Sequence, residues 1–228
     1  MKTVHLIKNG LQAALPIMIG YVPLALTFGI AGTAAGLLPL QVLMISALIF
    51  AGASQFLLLA SVQSGMAWGW VIMLCALLDV RHLLYGPLLS TLLPPRLQTR
   101  LLLAFSLTDE VFSTALNRLP HVREGRGAWM AGLGSGAWIS WVGGTALGAY
   151  AGGRFALNFP FLTQVLAFAL PALFLTLAIQ STNATSRASA IVAAIVAGAL
   201  VWAGHSSLSI LIGAFSGCAF YRLRQRKA

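Results

Sequence analysis

Charge is what this chain has least of. Only 8% of its 228 residues are Asp, Glu, Lys or Arg, where a soluble globular domain carries about 25%. Hydrophobic residues make up 59% and mean hydropathy is +0.89. So little polar surface cannot cover a water-soluble body, which leaves an integral membrane protein. Cysteine is nearly absent as well. Cys75 and Cys218 both lie in apolar runs, so there is no disulfide framework to read. The chain has no H-E-x-x-H, no G-x-S-x-G elbow and no G-x-x-x-x-G-K-[ST]. These absences argue against a zinc protease, a serine hydrolase and an ATP-hydrolysing subunit, and no cofactor or metal is expected.

Acids are the scarcest charges, four against 14 Lys and Arg, for a net charge of +10. The basic residues cluster in short segments between apolar runs and at the ends. Cytoplasmic loops have that distribution, and nucleic-acid binding is rejected on it. The first apolar run is too long for a secretory h-region and contains Pro16 and Pro23, so it reads as a retained helix.

A membrane-crossing helix needs about 20 apolar residues. Candidate spans fall at 12–33, 40–62, 67–90, 99–118, 128–150, 159–181, 188–203 and 206–221. The expectation is a single all-α polytopic membrane domain over 1–228, a bundle of about 7–8 transmembrane helices, some of them discontinuous. The last two segments are short and read equally as two tilted spans or a broken hairpin.

With eight spans and the N-terminus inside, ten Lys and Arg fall on the cytoplasmic side: Lys2, Lys8, Arg118, Arg123, Arg126, Arg187, Arg222, Arg224, Arg226 and Lys227. Arg96, Arg100 and Arg154 fall outside, and Arg81 lies within the membrane. This bias predicts cytoplasmic N- and C-termini. Trp68, Trp70, Trp129, Tyr150, Trp202 and Tyr221 lie near span ends, where aromatic rings favour the headgroup zone. Trp138 and Trp141 do not; they sit inside the fifth span.

That span also carries Gly132, Gly136, Ser140, Gly144 and Gly148, one small residue every four. Such a stripe lets a neighbouring backbone approach closely. It reads as static helix packing or as a moving contact face.

Three ionisable residues interrupt an otherwise apolar run in "LLDVRHLLYG" (77–86): Asp79, Arg81 and His82. On a continuous helix Asp79, His82 and Tyr85 descend one side, with Arg81 on the same flank. A charge at mid-membrane costs about 2.5–3.5 kcal/mol on insertion scales, so these groups should face protein or water. In "LLLAFSLTDEVFSTALN" (101–117), Asp109 and Glu110 share a polar helix face with Ser106, Ser113, Thr114 and Asn117. Three acids against Arg81 leave a charge deficit that a bound proton or a cation would relieve. A structural ion bridge and a proton relay using Asp79, His82, Asp109 and Glu110 are both open. In "AGASQF" (51–56), Ser54 and Gln55 sit in loosely held helix. They read either as part of a substrate site at a broken helix or as interhelical hydrogen bonds. Pro16, Pro23 and Pro171 mark possible further breaks or simple kinks.

The motifs "LPIMIGYVPLALTFGI" (15–30), "AGASQF" (51–56), "DVRHLLYGP" (79–87), "LTDEVF" (107–112) and "LPALF" (170–174) occur in this order. In this the chain resembles the AzlC family, large subunits of bacterial branched-chain amino acid exporters, from about residue 12 to 181. The resemblance implies efflux of valine, leucine, isoleucine and methionine or toxic analogues across the inner membrane. It also implies a small AzlD-type membrane subunit as partner. With that substrate, Ser54, Gln55, Arg81 and Tyr85 are the candidate substrate-binding residues, Arg81 for a carboxylate and an acid for an ammonium. A passive channel or structural subunit, and less so an intramembrane enzyme, are the rival classes.

Overall fold

The computed structural model describes residues 2–94, 96–158, 161, 175 and 186–225. The expected sixth span, 159–181, with its Pro171 and "LPALF", lies outside the described residues except at Phe161 and Leu175, as do Arg226 and Lys227. The described regular structure is helical. The chain divides into two compact units, Met1–Ala169 and Leu170–Ala228.

The first unit is organised by two helices of 33 residues each, α1 (Lys2–Ala34) and α8 (Arg126–Asn158). At about 1.5 Å per residue each is longer than the roughly 30 Å hydrocarbon core of a bilayer. The small-residue stripe of α8 lies against α1. A Cβ on Gly132 or Gly148 would collide with the carbonyl oxygen of Ile7 or Leu26. One on Gly136 would meet Ala14 Cβ at 3.0 Å, and one on Gly144 would meet Ala25 Cβ at 2.8 Å. Rising positions on α8 match rising positions on α1, so the two helices run parallel. Lys2–Lys8 and the loop preceding Arg126 therefore share one end, as the charge-based topology requires.

Between them lie three pairs of short helices. The expected span 40–62 is α2 (Pro39–Leu48) and α3 (Gly52–Gln63), interrupted at Ile49–Ala51. The span 67–90 is α4 (Trp68–Asp79) and α5 (His82–Leu89), joined through Val80 and Arg81. The span 99–118 is α6 (Leu97–Phe105) and α7 (Asp109–Arg118), interrupted at Ser106–Thr108. A discontinuity next to "AGASQF" agrees with the sequence reading. The interruption at 106–108 corrects the continuous helix assumed for 101–117, whereas 77–86 keeps helical backbone angles through a tightened turn. At Val80–Arg81 the backbone stays helical but tightens: Leu83 N–H bonds Val80 O and Leu84 N–H bonds Arg81 O, each at 3.0 Å and each three residues back. At 106–108 a new helix begins, with Thr108 as N-cap accepting from Val111 N–H at 3.3 Å.

Gly36, at φ +87°, closes α1 and turns the chain into α2. Its N–H bonds Thr33 O and that of Leu37 bonds Gly32 O, an arrangement that requires the left-handed backbone glycine adopts freely. Pro39 then opens α2, and Gln41 Oε1 accepts from the Leu38 N–H at 2.8 Å.

In the second unit, α9 (Arg187–Trp202) and α10 (Ser206–Gln225) form an antiparallel hairpin through Gly204. A Cβ on Gly213 or Gly217 would lie 2.8 Å from Ala197 Cβ or Ala193 Cβ, so the shorter small-residue stripe is a close contact too. This resolves the segments 188–203 and 206–221 into two helices.

Two described helical segments, Thr3–Ala34 and Trp68–Leu89, are long and apolar enough to cross a membrane. Large apolar side chains point outward: Ile19 on α1, Leu83 on α5 and Leu102 on α6 are 74%, 74% and 76% exposed. Water would penalise such a surface and lipid would not.

Candidate functional site

Two of the interruptions, α2–α3 and α6–α7, meet the same side of α8. A helix break leaves backbone N–H and C=O groups without helical partners, and in a membrane these must be satisfied by protein. At the α2–α3 break, α8 does this with side chains. Trp138 Nε1 donates to Ala47 O at 3.2 Å, and Ser46 Oγ and Thr145 Oγ1 share a 2.8 Å hydrogen bond. Gln55, fully buried, donates its amide to Ile49 O and accepts from Trp141 Nε1 at 3.0 Å. The two tryptophans that fitted no interfacial belt are thus fixed by the break they close. Gly134 of α8 faces Ser106, whose Oγ a Cβ there would strike, so α8 also makes room for the α6–α7 interruption.

That interruption changes the setting of the two acids. Asp109 and Glu110 occupy the first turn of α7 rather than the middle of a helix. Exposed N–H groups and the helix dipole favour negative charge there, by about 0.3–1 kcal/mol in surface cases.

Asp109 is gripped on both oxygens. Arg81 Nη1 lies 3.0 Å from Oδ2, and the Tyr85 hydroxyl donates to Oδ1. Tyr85 stacks on Phe112 with ring centroids 4.3 Å apart, which fixes the hydroxyl beside the acid. Arg81 Nε is buried without a hydrogen-bond partner. Arg81 and Asp109 side chains are 39% and 31% exposed, so the pair is reachable and not sealed.

Glu110 turns the other way. Its Oε2 lies 2.5 Å from the Tyr21 hydroxyl, which is also 2.7 Å from Thr108 Oγ1. Tyr21 comes from α1, two residues before Pro23. Its ring packs edge-on against Trp141 and Phe50 at 5.1 and 6.3 Å. Contacts thus run without a gap from Glu110 through Tyr21 and Trp141 to Gln55 and the α2–α3 break.

Arg81, Tyr85 and Asp109 come together as one group. Glu110 joins it through its neighbour in the chain. Asp79 and His82 form a local pair, His82 Nδ1 lying 3.8 Å from Asp79 Oδ1 and 3.1 Å from Asp79 O, and the His82 ring adjoins the group with its centroid 5.1 Å from that of Tyr85. Asp79 Oδ1 has no hydrogen-bond partner. Ser54 is 2% exposed; its Oγ is unpartnered and its carbonyl accepts from Cys75 Sγ at 3.6 Å. Ser140 Oγ bonds Ala137 O within α8. Sequence reasoning missed Tyr21, Thr108 and Trp141. The available signals were a phenol at mid-span beside a proline and a Thr-Asp-Glu helix start.

The AzlC protein family matches residues 16–155, a stretch that contains all three interruptions. Inner membrane protein YgaZ of Escherichia coli is 39% identical over 92% of this chain and 87% of its own. The chain belongs to the AzlC family. An uncharacterized membrane protein of Archaeoglobus fulgidus is 32% identical over 92% of this chain and 91% of its own. No solved structure matches. This AzlC-family chain is therefore an all-helical membrane protein.

Proposed function

We propose that this chain is the large subunit of a secondary transporter that exports branched-chain amino acids across the inner membrane in exchange for protons. Valine, leucine and isoleucine are the substrates, with methionine or analogues, and a small AzlD-type membrane subunit completes the transporter. The observation that carries this reading is the Arg81–Asp109 pair, 3.0 Å apart, at the joints of two interrupted helices. An amino acid carries a carboxylate and an ammonium separated by one carbon. It inserts into such a pair by giving its carboxylate to the Arg81 fork and its ammonium to Asp109, replacing one ion pair by two. The planar guanidinium has further N–H donors for the second carboxylate oxygen. Tyr85 and Phe112, stacked beside Asp109, supply ring surface for a branched side chain.

Helix interruptions suit this work, because short helical pieces re-pack about a site more readily than a continuous rod. Without a nucleotide-binding loop the work comes from an ion gradient, most simply from proton entry. The Lys and Arg distribution supports a cytoplasmic position for both termini and the loop 119–127.

The test is efflux from cells loaded with dipeptides of each amino acid, with and without the small subunit and with and without an uncoupler. Concentrative export that an uncoupler collapses supports the reading. Downhill movement indifferent to the uncoupler identifies a channel instead.

A further inference from the structure

The two neighbouring acids of α7 have different partners, and the difference assigns them different jobs. Asp109 faces a guanidinium on one oxygen and a phenol donor on the other. Both partners favour the carboxylate, and protonation would cost it the ion pair with Arg81. Glu110 has no cation partner among the described residues. Its recorded partner is the Tyr21 hydroxyl, at 2.5 Å.

That hydroxyl has one hydrogen and two close oxygens, Glu110 Oε2 and Thr108 Oγ1 at 2.7 Å. It cannot donate to both at once. The three oxygens therefore form a chain with two polarities. When Glu110 is ionised, the Thr108 hydroxyl donates to Tyr21 and Tyr21 donates to the carboxylate. When Glu110 is protonated, its own O–H donates to Tyr21 and Tyr21 donates to Thr108 Oγ1. Both oxygen–oxygen hydrogen bonds survive in either state. Thr108 is also the N-cap of α7, accepting from Val111 N–H at 3.3 Å. In the protonated state its oxygen accepts from two donors, in the ionised state from one.

We propose that Glu110 is the residue that carries the exchanged proton, and that Tyr21 and Thr108 form a reversible hydrogen-bond chain reporting its state to the α6–α7 interruption. Other groups around the acid fit this role. Tyr21 faces it from α1, Asp109 adjoins it, and Arg81 and Tyr85 lie beyond Asp109, occupied by that acid. Phe50 and Trp141, packed on the Tyr21 ring, are uncharged. The proposal rests on the proton-exchange reading above, but it makes a claim about protonation that can be read without transport.

The chain has two glutamates, Glu110 and Glu124. A Glu124→Gln protein made by cell-free synthesis with carboxyl-¹³C glutamate, in lipid vesicles, carries the label at Glu110 alone. Infrared difference spectra between acid and alkaline buffer should show a carboxylic C=O band that the label moves to lower wavenumber. Asp109→Asn should keep this band and Glu110→Gln should lose it. Tyr21→Phe should keep it at higher wavenumber, because the acid has lost its hydrogen-bond partner. A titrating band insensitive to the label assigns the proton to an aspartate and overturns the proposal, as does the absence of any such band. Should the labelled band titrate while the intact chain and its small subunit show no proton-driven efflux, the transporter reading fails and the proton assignment stands. Should Glu110→Gln retain full proton-driven efflux, the assignment fails and the transporter reading stands.

Discussion

Arg81 and Asp109 are 3.0 Å apart and each stands where a helix is interrupted. The ion pair therefore ties two joints together, and a change at either end is felt by four helical pieces. Arg81→Lys keeps the charge and loses the planar fork, so it should raise the substrate concentration for half-maximal export while leaving the protein folded. Arg81→Gln leaves Asp109 without its cation and should cost export outright. Transport rates against internal substrate concentration, with melting temperature in detergent as the folding control, check both.

The α1–α8 contact is backbone against backbone at Gly132 and Gly148, backbone against the Leu11, Ala14 and Met18 side chains at Gly136, and backbone against Ala25 Cβ and Val22 O at Gly144. Gly144→Leu and Gly136→Leu should each lower stability by at least the about 1–3 kcal/mol typical of overpacking. Neither helix can retreat without opening the other contacts along the same seam. Size-exclusion profile and melting temperature are the measurements. Unchanged values for both would mean that this face looks at lipid.

Gln55 and Trp141 close the α2–α3 break together. Trp141→Phe leaves the Gln55 carbonyl oxygen unsatisfied in a buried place, and Gln55→Leu leaves both the indole N–H and Ile49 O short of a partner. Each should destabilise by about 1–3 kcal/mol. Because the two share one hydrogen bond, the double variant should lose less than the sum of the singles. Additivity in a double-mutant cycle would show that the bond contributes nothing.

Much of this arrangement was legible in the chain. The acids, Arg81 and the small-residue stripe stood out because each is rare or periodic against an apolar background, and "AGASQF" announced its break through glycine and weakly helical residues. The break at 106–108 was not read, because apolar residues continue at helical spacing across it. Thr108-Asp109-Glu110 is nevertheless a helix start by cap and charge. The tightening at Val80–Arg81 leaves no local mark at all, since both residues keep helical backbone angles. Tyr21 could not be paired with Glu110 from the sequence: 89 positions separate them, and a phenol on an apolar helix face has no periodic signature.

The parallel α1–α8 pair and the basic residues at their shared end support the proposed cytoplasmic position of that end. A cysteine reporter at Gly125 is a poor choice, because that residue has φ +65° and a Cβ there would meet Leu6 Cδ1. Glu124→Cys, exposed in the same loop, in a chain with Cys75 and Cys218 changed to Ala, should be modified only by reagents that enter the cytoplasm. Labelling from outside intact cells would invert the topology.

The most direct measurement of the central claim is valine or leucine efflux from inverted or right-side-out vesicles holding the Asp109→Asn and Glu110→Gln variants, followed with and without a proton gradient. Both variants should insert and fold. Asp109→Asn should lose substrate movement in every mode, because the ammonium has lost its partner. Glu110→Gln should lose proton-driven efflux and keep exchange of one amino acid for another. Wild-type rates with wild-type pH dependence in both would mean that the charges only hold helices together and that the driving step lies elsewhere.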